Sequence, residues 1–254
     1  MFSKIILAET KSSEIVKGPH HTVLKKIWNK ALFQRELEIA RVLRKHPSDF
    51  ILSLVSVDPF YQTLVYPEAE CDLHQWRKQS YEPGVLKKYF FQILQGLYDL
   101  YRCRVEHYDM KPKNILVFSD GTVKIADFGL AVHRGRDYRK RTGTYAYAAP
   151  ELICHHDHYV PHSMDVYSTS IMFLYLLFPS FYQSQKRFLT ASEYTTLHDR
   201  ADLFLQNSAH PTLAHLLLQG MHPDPTQRMT LPVWVEETRK YLDSTSDNEP
   251  LSGV

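Results

Sequence analysis

The segment "VEHYDMKPKNILVFSDGTVKIADFGLA" (105–131) constrains this chain more than any other. Two short apolar runs, "NILVF" and "VKIAD", flank an Asp-Gly pair of the kind that reverses a strand. A hairpin built this way carries a polar cluster at one end of each strand, so Asp109, Lys111, Asn114 and Asp127 are expected to converge. Two acids, a lysine and an amide in one place are the groups that phosphoryl transfer needs. Carboxylate and carbonyl oxygens suit Mg²⁺, a cation suits the phosphate, and a carboxylate can orient the attacking hydroxyl.

The rest of the chain divides around that segment. On the N-terminal side, residues 4–18 read as a β-hairpin, "HTVLKKIW" (21–28) as a third strand, and "FILSLVSV" (50–57) and "YQTLVYPEA" (61–69) as two more. Among them, "ALFQRELEIARVLRK" (31–45) repeats Leu32, Glu36, Ile39 and Leu43 at helical spacing. Glu36 therefore lies in the middle of an apolar stripe, where a carboxylate requires a cation or strong hydrogen bonds, while Glu38 points elsewhere. On the C-terminal side, "PGVLKKYFFQILQGLYDLYRC" (83–103) is strongly amphipathic, and an almost wholly apolar helix is expected over 165–178. The fold class is thus α+β: a small antiparallel β-rich lobe with one helix, over about 1–66, and a larger mostly helical lobe over about 67–240. A ligand belongs in the crevice between them.

Composition narrows the function classes. The 254 residues carry a formal charge of +2 with both signs mixed along the chain, which favours neither nucleic acid nor a membrane surface. Three scattered cysteines (Cys71, Cys103, Cys154) form no disulfide framework, and the apolar runs are too short for a signal peptide or a span; a cytoplasmic or nuclear setting is expected. The last residues, 241–254, read as a disordered polar tail. "CHHDHYVPH" (154–162) has metal-ligand residue types at a spacing that fits a solvated loop better than a tetrahedral site. Glu68, Glu70 and Asp72 read as an exposed acidic connector rather than a substrate-recognition patch.

With these residues in view, the sequence resembles the eukaryotic-type protein kinases, serine/threonine branch. "HYDMKPKN" is similar to the catalytic-loop pattern H-R-D-x-K-x-x-N apart from Tyr108, and "DFG" follows at the family's spacing. "GTYAYAAPE" (143–151), "DVYS" (165–168) and Arg228 in "DPTQRMT" resemble the end of the activation segment, the aspartate bracing the catalytic loop, and the arginine that pairs with the glutamate matched by Glu151. The resemblance implies a bilobal kinase fold, ATP and Mg²⁺ as cofactors, and a protein substrate. It implies Asp109 as catalytic base, Lys111 on the transferring phosphate, Thr144 against Asp109, and Asn114 and Asp127 as metal ligands. "TVLKK" resembles V-A-I-K, putting Lys25 on the phosphates with Glu36 as its partner. Ile15 and Val23 would roof the adenine pocket and Leu116 would floor it. A monomer is expected, and no segment identifies a regulatory subunit.

Two departures stand out. At the three glycine positions of the family's phosphate-covering loop, "LAETKSSEIVK" has Ala8, Thr10 and Ser13. Side chains there keep the backbone from approaching phosphates closely, so ATP should rely on adenine packing, Lys25 and the metal. The alternative implied is a weak pseudokinase acting as a scaffold. At Tyr108 the arginine that receives an activation-segment phosphate is missing, so activity should not depend on phosphorylation of Thr142 within the basic tract 133–142. A degenerate loop beside an otherwise intact core is similar to short fungal kinases, including the single-subunit kinases that activate cyclin-dependent kinases. Ala148, in place of the arginine usual before A-P-E, argues against the proline-directed group.

Overall fold

Alternation decides which of two adjacent lysines enters the cleft, because neighbouring strand residues face opposite sides of a sheet. In the computed structural model, which describes residues 5–79, 82–133, 143–153, 160–178, 191–206, 208 and 210–245, Lys25 is buried and Lys26 exposed. Both lie on β3 (Thr22–Ile27) of an antiparallel sheet. Its other strands are β1 (Ile6–Glu9), β2 (Ser13–Lys17), β4 (Ser56–Asp58) and β5 (Thr63–Pro67), in the order β1-β2-β3-β5-β4. Lys25 is flanked by Ile15 on β2 and Leu64 on β5.

Helix α1 (Lys30–Arg44) packs against this sheet. The Asn29 side chain caps it, accepting from the backbone N–H of Ala31 and Leu32. Phe33, Leu37 and Ala40 of α1 join Ile27, Leu64 and Tyr66 in a small apolar core. Glu36, on the same buried side, is only 3% exposed.

The expected strand over 50–57 is the main correction to the sequence reading of the fold. Only Ser56–Asp58 is extended in a ladder. Ile51 belongs to the large C-terminal core, whereas Leu52 and Leu54 belong to the small one. The segment is apolar because it crosses between two cores, and its backbone ties to the catalytic hairpin through Leu52 N–H to Ile125 O and Ile125 N–H to Phe50 O.

The larger lobe begins with β6 (Cys71–Asp72) and α2 (Leu73–Gln79), so the presumed connector carries structure of its own. Helix α3 (Pro83–Arg102) leads to β7 (Val105–Glu106) and the hairpin of β8 (Ile115–Val117) and β9 (Val123–Ile125). The strand β10 (Val132–His133) then pairs with β7. Among the described residues, helices α4 (Pro150–Ile153), α5 (Ser163–Leu177), α6 (Ala191–Leu205), α7 (Pro211–Gly220) and α8 (Leu231–Ser244) follow. Every residue of α5 is buried, as a helix apolar on all sides must be. Phe173 on α5 stacks on Phe90 of α3 with centroids 3.7 Å apart. Helix α8 runs to Ser244, so residues 241–244 are helical rather than part of a tail. Residues 246–254, Cys154, Thr142 and most of the tracts 133–142 and 154–162 lie outside the described residues.

A buried ion pair clamps the base of this lobe. Arg228 meets Glu151 through two parallel contacts, Nη1 to Oε1 at 2.5 Å and Nη2 to Oε2 at 2.7 Å. It also donates to Ser163 Oγ and to the carbonyls of His222, Ser163 and Pro223. A desolvated guanidinium with this many partners is tolerable in a way that a lone one is not.

Candidate active site

The two lobes enclose a cavity of about 600 Å³. Ile15 and Val23 line it from the sheet and Leu116 from the C-terminal lobe, alongside Leu52, Tyr66 and Ala126. These last three went unread in the sequence. Leu52 and Tyr66 lay in segments read only as strands, and Ala126 is a small residue between a strand and Asp127.

At one end of the cavity Lys25 Nζ donates to both oxygens of Glu36, at 2.8 and 2.9 Å, and to Asp127 Oδ1 at 2.7 Å. Burial alone would lower the lysine's pKa, but the two carboxylates reverse that and hold the ammonium protonated. Burial pushes the Glu36 carboxyl up against the pull of Lys25. The two-pronged contact with an ammonium keeps it ionised. Asp127 is held below the usual carboxylate range, chiefly by Lys25. Its backbone is left-handed, φ 63°, an uncommon conformation for a residue other than glycine and one that aims the side chain at the cleft.

Asp109 adjoins the cavity through its bonds to Lys111 and Asn114, which line it. Its Oδ1 accepts from the Thr144 backbone N–H at 2.8 Å and the Thr144 hydroxyl at 2.7 Å. Its Oδ2 accepts from Lys111 Nζ at 2.5 Å and Asn114 Nδ2 at 3.0 Å. Lys111 also reaches Thr144 Oγ1, at 2.7 Å. Both amide protons of Asn114 are spent on Asp109, one on its backbone carbonyl, which leaves Asn114 Oδ1 as the free oxygen. Lys111, Asn114 and Asp127 all line the cavity.

The loop carrying Asp109 is fixed from below. Asp165, at the start of α5, accepts the backbone N–H groups of His107 and Tyr108 at 2.7 and 2.9 Å, and burial pushes its carboxyl up to about 7 despite them. His107, matched to the catalytic-loop pattern without an assigned role, is buried and held neutral: Nδ1 accepts the Asp109 N–H, so Nε2 donates to Ala126 O at 2.9 Å. It thereby bridges the two strands that deliver Asp109 and Asp127. A Cβ on Gly143 would come within 2.6 Å of Tyr108 O, so only glycine lets the chain bring Thr144 this close to Asp109. Tyr108 itself is 2% exposed and packs in the large core, so no cation faces the activation segment from that position.

The roof departs most from the pattern. Ala8, Thr10 and Ser13 all line the cavity, as their alignment implies. The tip between them turns without any residue at positive φ. Thr10 Oγ1 accepts the N–H of Ser12 at 3.2 Å and of Ser13 at 3.0 Å, and Thr10 N–H donates to Ser13 O at 2.8 Å. Side-chain chemistry thus does the work that glycine does elsewhere. On the connector, Glu68 is paired with Lys17 at 2.8 Å and Asp72 accepts the Gln75 N–H.

Against protein-family models, the protein kinase domain matches residues 3–239. The chain belongs to the protein kinase domain family. This kinase domain is 32% identical over 161 residues to a rice protein named cyclin-dependent kinase F-3, covering 61% of this chain and 36% of that protein. It is 42% identical over 103 residues to cell division control protein 2 homolog 3 of Trypanosoma brucei brucei, covering 38% of this chain and 32% of that one. The chain therefore spans about a third of the length of these curated relatives. Among solved structures it matches a chain of the CAK complex from Chaetomium thermophilum bound to ATP-γ-S, with a TM-score of 0.72 at 21% identity, over 97% of this chain and 94% of that one. That match establishes the protein kinase fold.

The residues fit a nucleotide and a divalent cation. The cavity is apolar where a base would pack and charged where phosphates would lie. Among the described residues no cluster of three His, Cys, Asp or Glu could hold a metal alone. One carboxylate, Asp127, and one amide oxygen, Asn114 Oδ1, make the sparse set that suits Mg²⁺, whose remaining positions go to phosphates and water.

Proposed function

We propose that this kinase domain transfers the γ-phosphoryl group of ATP to serine or threonine hydroxyls of protein substrates. The observation that carries the reading is one cavity lined by the Lys25–Glu36–Asp127 cluster and by Lys111 and Asn114, both bonded to Asp109. The name of one curated relative, cyclin-dependent kinase F-3, supports kinase activity, and Lys111, two residues after Asp109, resembles the serine/threonine branch rather than the tyrosine one.

Asp127 and Asn114 would hold Mg²⁺, which when bound neutralises charge on the β- and γ-phosphates. Lys25, kept protonated, would meet phosphate oxygens. Asp109 would accept the hydrogen of the substrate hydroxyl. A carboxylate offers about four lone-pair sites, and Asp109 already has four donors. One must therefore yield as the substrate arrives, and the Thr144 hydroxyl can do so by rotating toward solvent. Lys111 then remains beside the developing negative charge.

A scaffold with little turnover is the second reading, favoured by the Ser12 and Ser13 N–H groups of the lid tip being spent on Thr10. Incubation with labelled ATP and a generic protein substrate, followed by phosphoamino-acid analysis, tests the first reading. Label on serine or threonine supports it, and label on tyrosine alone or none at all contradicts it.

A further inference from the structure

The lid tip retains one donor that the turn cannot use. A hydroxyl has one proton and two acceptor sites. The N–H groups of Ser12 and Ser13 occupy both acceptor sites of Thr10 Oγ1. The Thr10 proton goes to Ser13 O at 3.2 Å, Ser13 Oγ at 3.1 Å or Ser12 Oγ at 3.3 Å. Thr10 thus cannot accept from the Ser13 hydroxyl, whose proton has no acceptor within the turn.

Ser13 is half-buried and lines the cavity. Its place along the sheet is fixed by register. Thr22 and Val23 pair with Pro67 and Tyr66 at the connector end, whereas Ser13 pairs with Ile27, beyond Lys25. Ser13 therefore overhangs the Lys25–Asp127 end of the cleft rather than the apolar end.

We propose that Ser13 is a phosphate-binding residue, its hydroxyl donating to a phosphate oxygen of the nucleotide, and that Thr10 is the positioning residue that aims it. A side-chain donor replaces the backbone N–H cradle that this lid has closed on itself. The inference rests on the nucleotide reading of the cleft given above.

Calorimetric titration of the purified chain with ATP plus Mg²⁺, and separately with adenosine, tests it. Ser13→Ala should weaken ATP binding about tenfold, the scale of losing a hydrogen bond to a charged group, and leave adenosine binding within twofold. Thr10→Val should weaken ATP binding in the same sense and speed amide exchange at Ser12 and Ser13, while Thr10→Ser should behave as the parent. Unchanged ATP affinity in Ser13→Ala overturns the inference, as does tighter ATP binding in Thr10→Val, because the freed N–H groups would then be the better phosphate ligands. A parent chain that melts cooperatively yet binds neither ligand overturns the nucleotide reading and this inference together. A parent that binds both, with Ser13→Ala identical to it, overturns this inference alone.

Discussion

Asp109→Asn separates the two roles of the central carboxylate. The substitution keeps the shape and turns one of two acceptor oxygens into an NH₂ group. Oriented toward Lys111, that amide would face an ammonium at 2.5 Å and the Asn114 amide at 3.0 Å. Oriented toward Thr144, it faces a hydroxyl that can rotate to accept and a backbone N–H, at 2.8 Å, that cannot. The second orientation wins, at the cost of one stranded N–H and of the charge opposite Lys111. Hydrogen bonds to charged groups contribute about 1.5–3 kcal/mol each, so the loss sums to about 2–4 kcal/mol, or a fall in Tm of about 5–15 °C for a domain of this size. Loss of the base should lower kcat by about 10²–10⁴. Differential scanning calorimetry and a steady-state kinase assay read the two effects. A Tm within 2 °C of the parent would refute the closed network around Asp109, and kcat within threefold would refute its role as base.

Arg228→Ala should destabilise the chain by about 3–5 kcal/mol in urea unfolding, because Glu151 is left buried and unpaired; adding Glu151→Leu should recover a large part of the loss, and no recovery would contradict the buried-charge account. Acid should destabilise through His162, whose imidazole burial pushes down to about 4. The unfolded chain takes up that proton near pH 6.5, so the stabilisation is complete above pH 6.5 and lost as the pH falls toward 4. About 2 kcal/mol should be gone by pH 5, and His162→Asn, which tolerates the φ of 61° there, should flatten the profile of urea midpoint against pH. Equal slopes for parent and variant would remove His162 from the explanation.

Some of this site could be read directly from residue types. Glu36 was legible because a carboxylate inside an apolar helical stripe needs a cation, and Lys25 supplies it. The hairpin bearing Asn114 and Asp127 was legible from its Asp-Gly turn and alternating flanks. The partnership of Arg228 with Glu151, 77 residues apart, came only through family resemblance, since no local pattern encodes so distant a contact. "FILSLVSV" misled because burial between two cores yields the same apolar run as a strand. The Thr10 turn was invisible for another reason: the absence of glycine says that a backbone cradle is impaired, but which hydroxyl accepts which N–H depends on side-chain geometry. His107 matches the catalytic-loop pattern, but its bridging role, one ring nitrogen on the Asp109 N–H and the other on Ala126 O, depends on side-chain geometry that no residue pattern encodes.

The most direct test of the account is transfer of label from γ-³²P-ATP to a panel of generic protein substrates by the parent chain and by Asp127→Asn, each checked for cooperative melting. Asp127 touches Lys25 and lines the cleft together with Asn114, its proposed partner in holding Mg²⁺. Transfer by the parent that falls by at least a hundredfold in Asp127→Asn is the expected result. Equal transfer by both, or none by a folded parent that binds ATP, would contradict catalysis by this site.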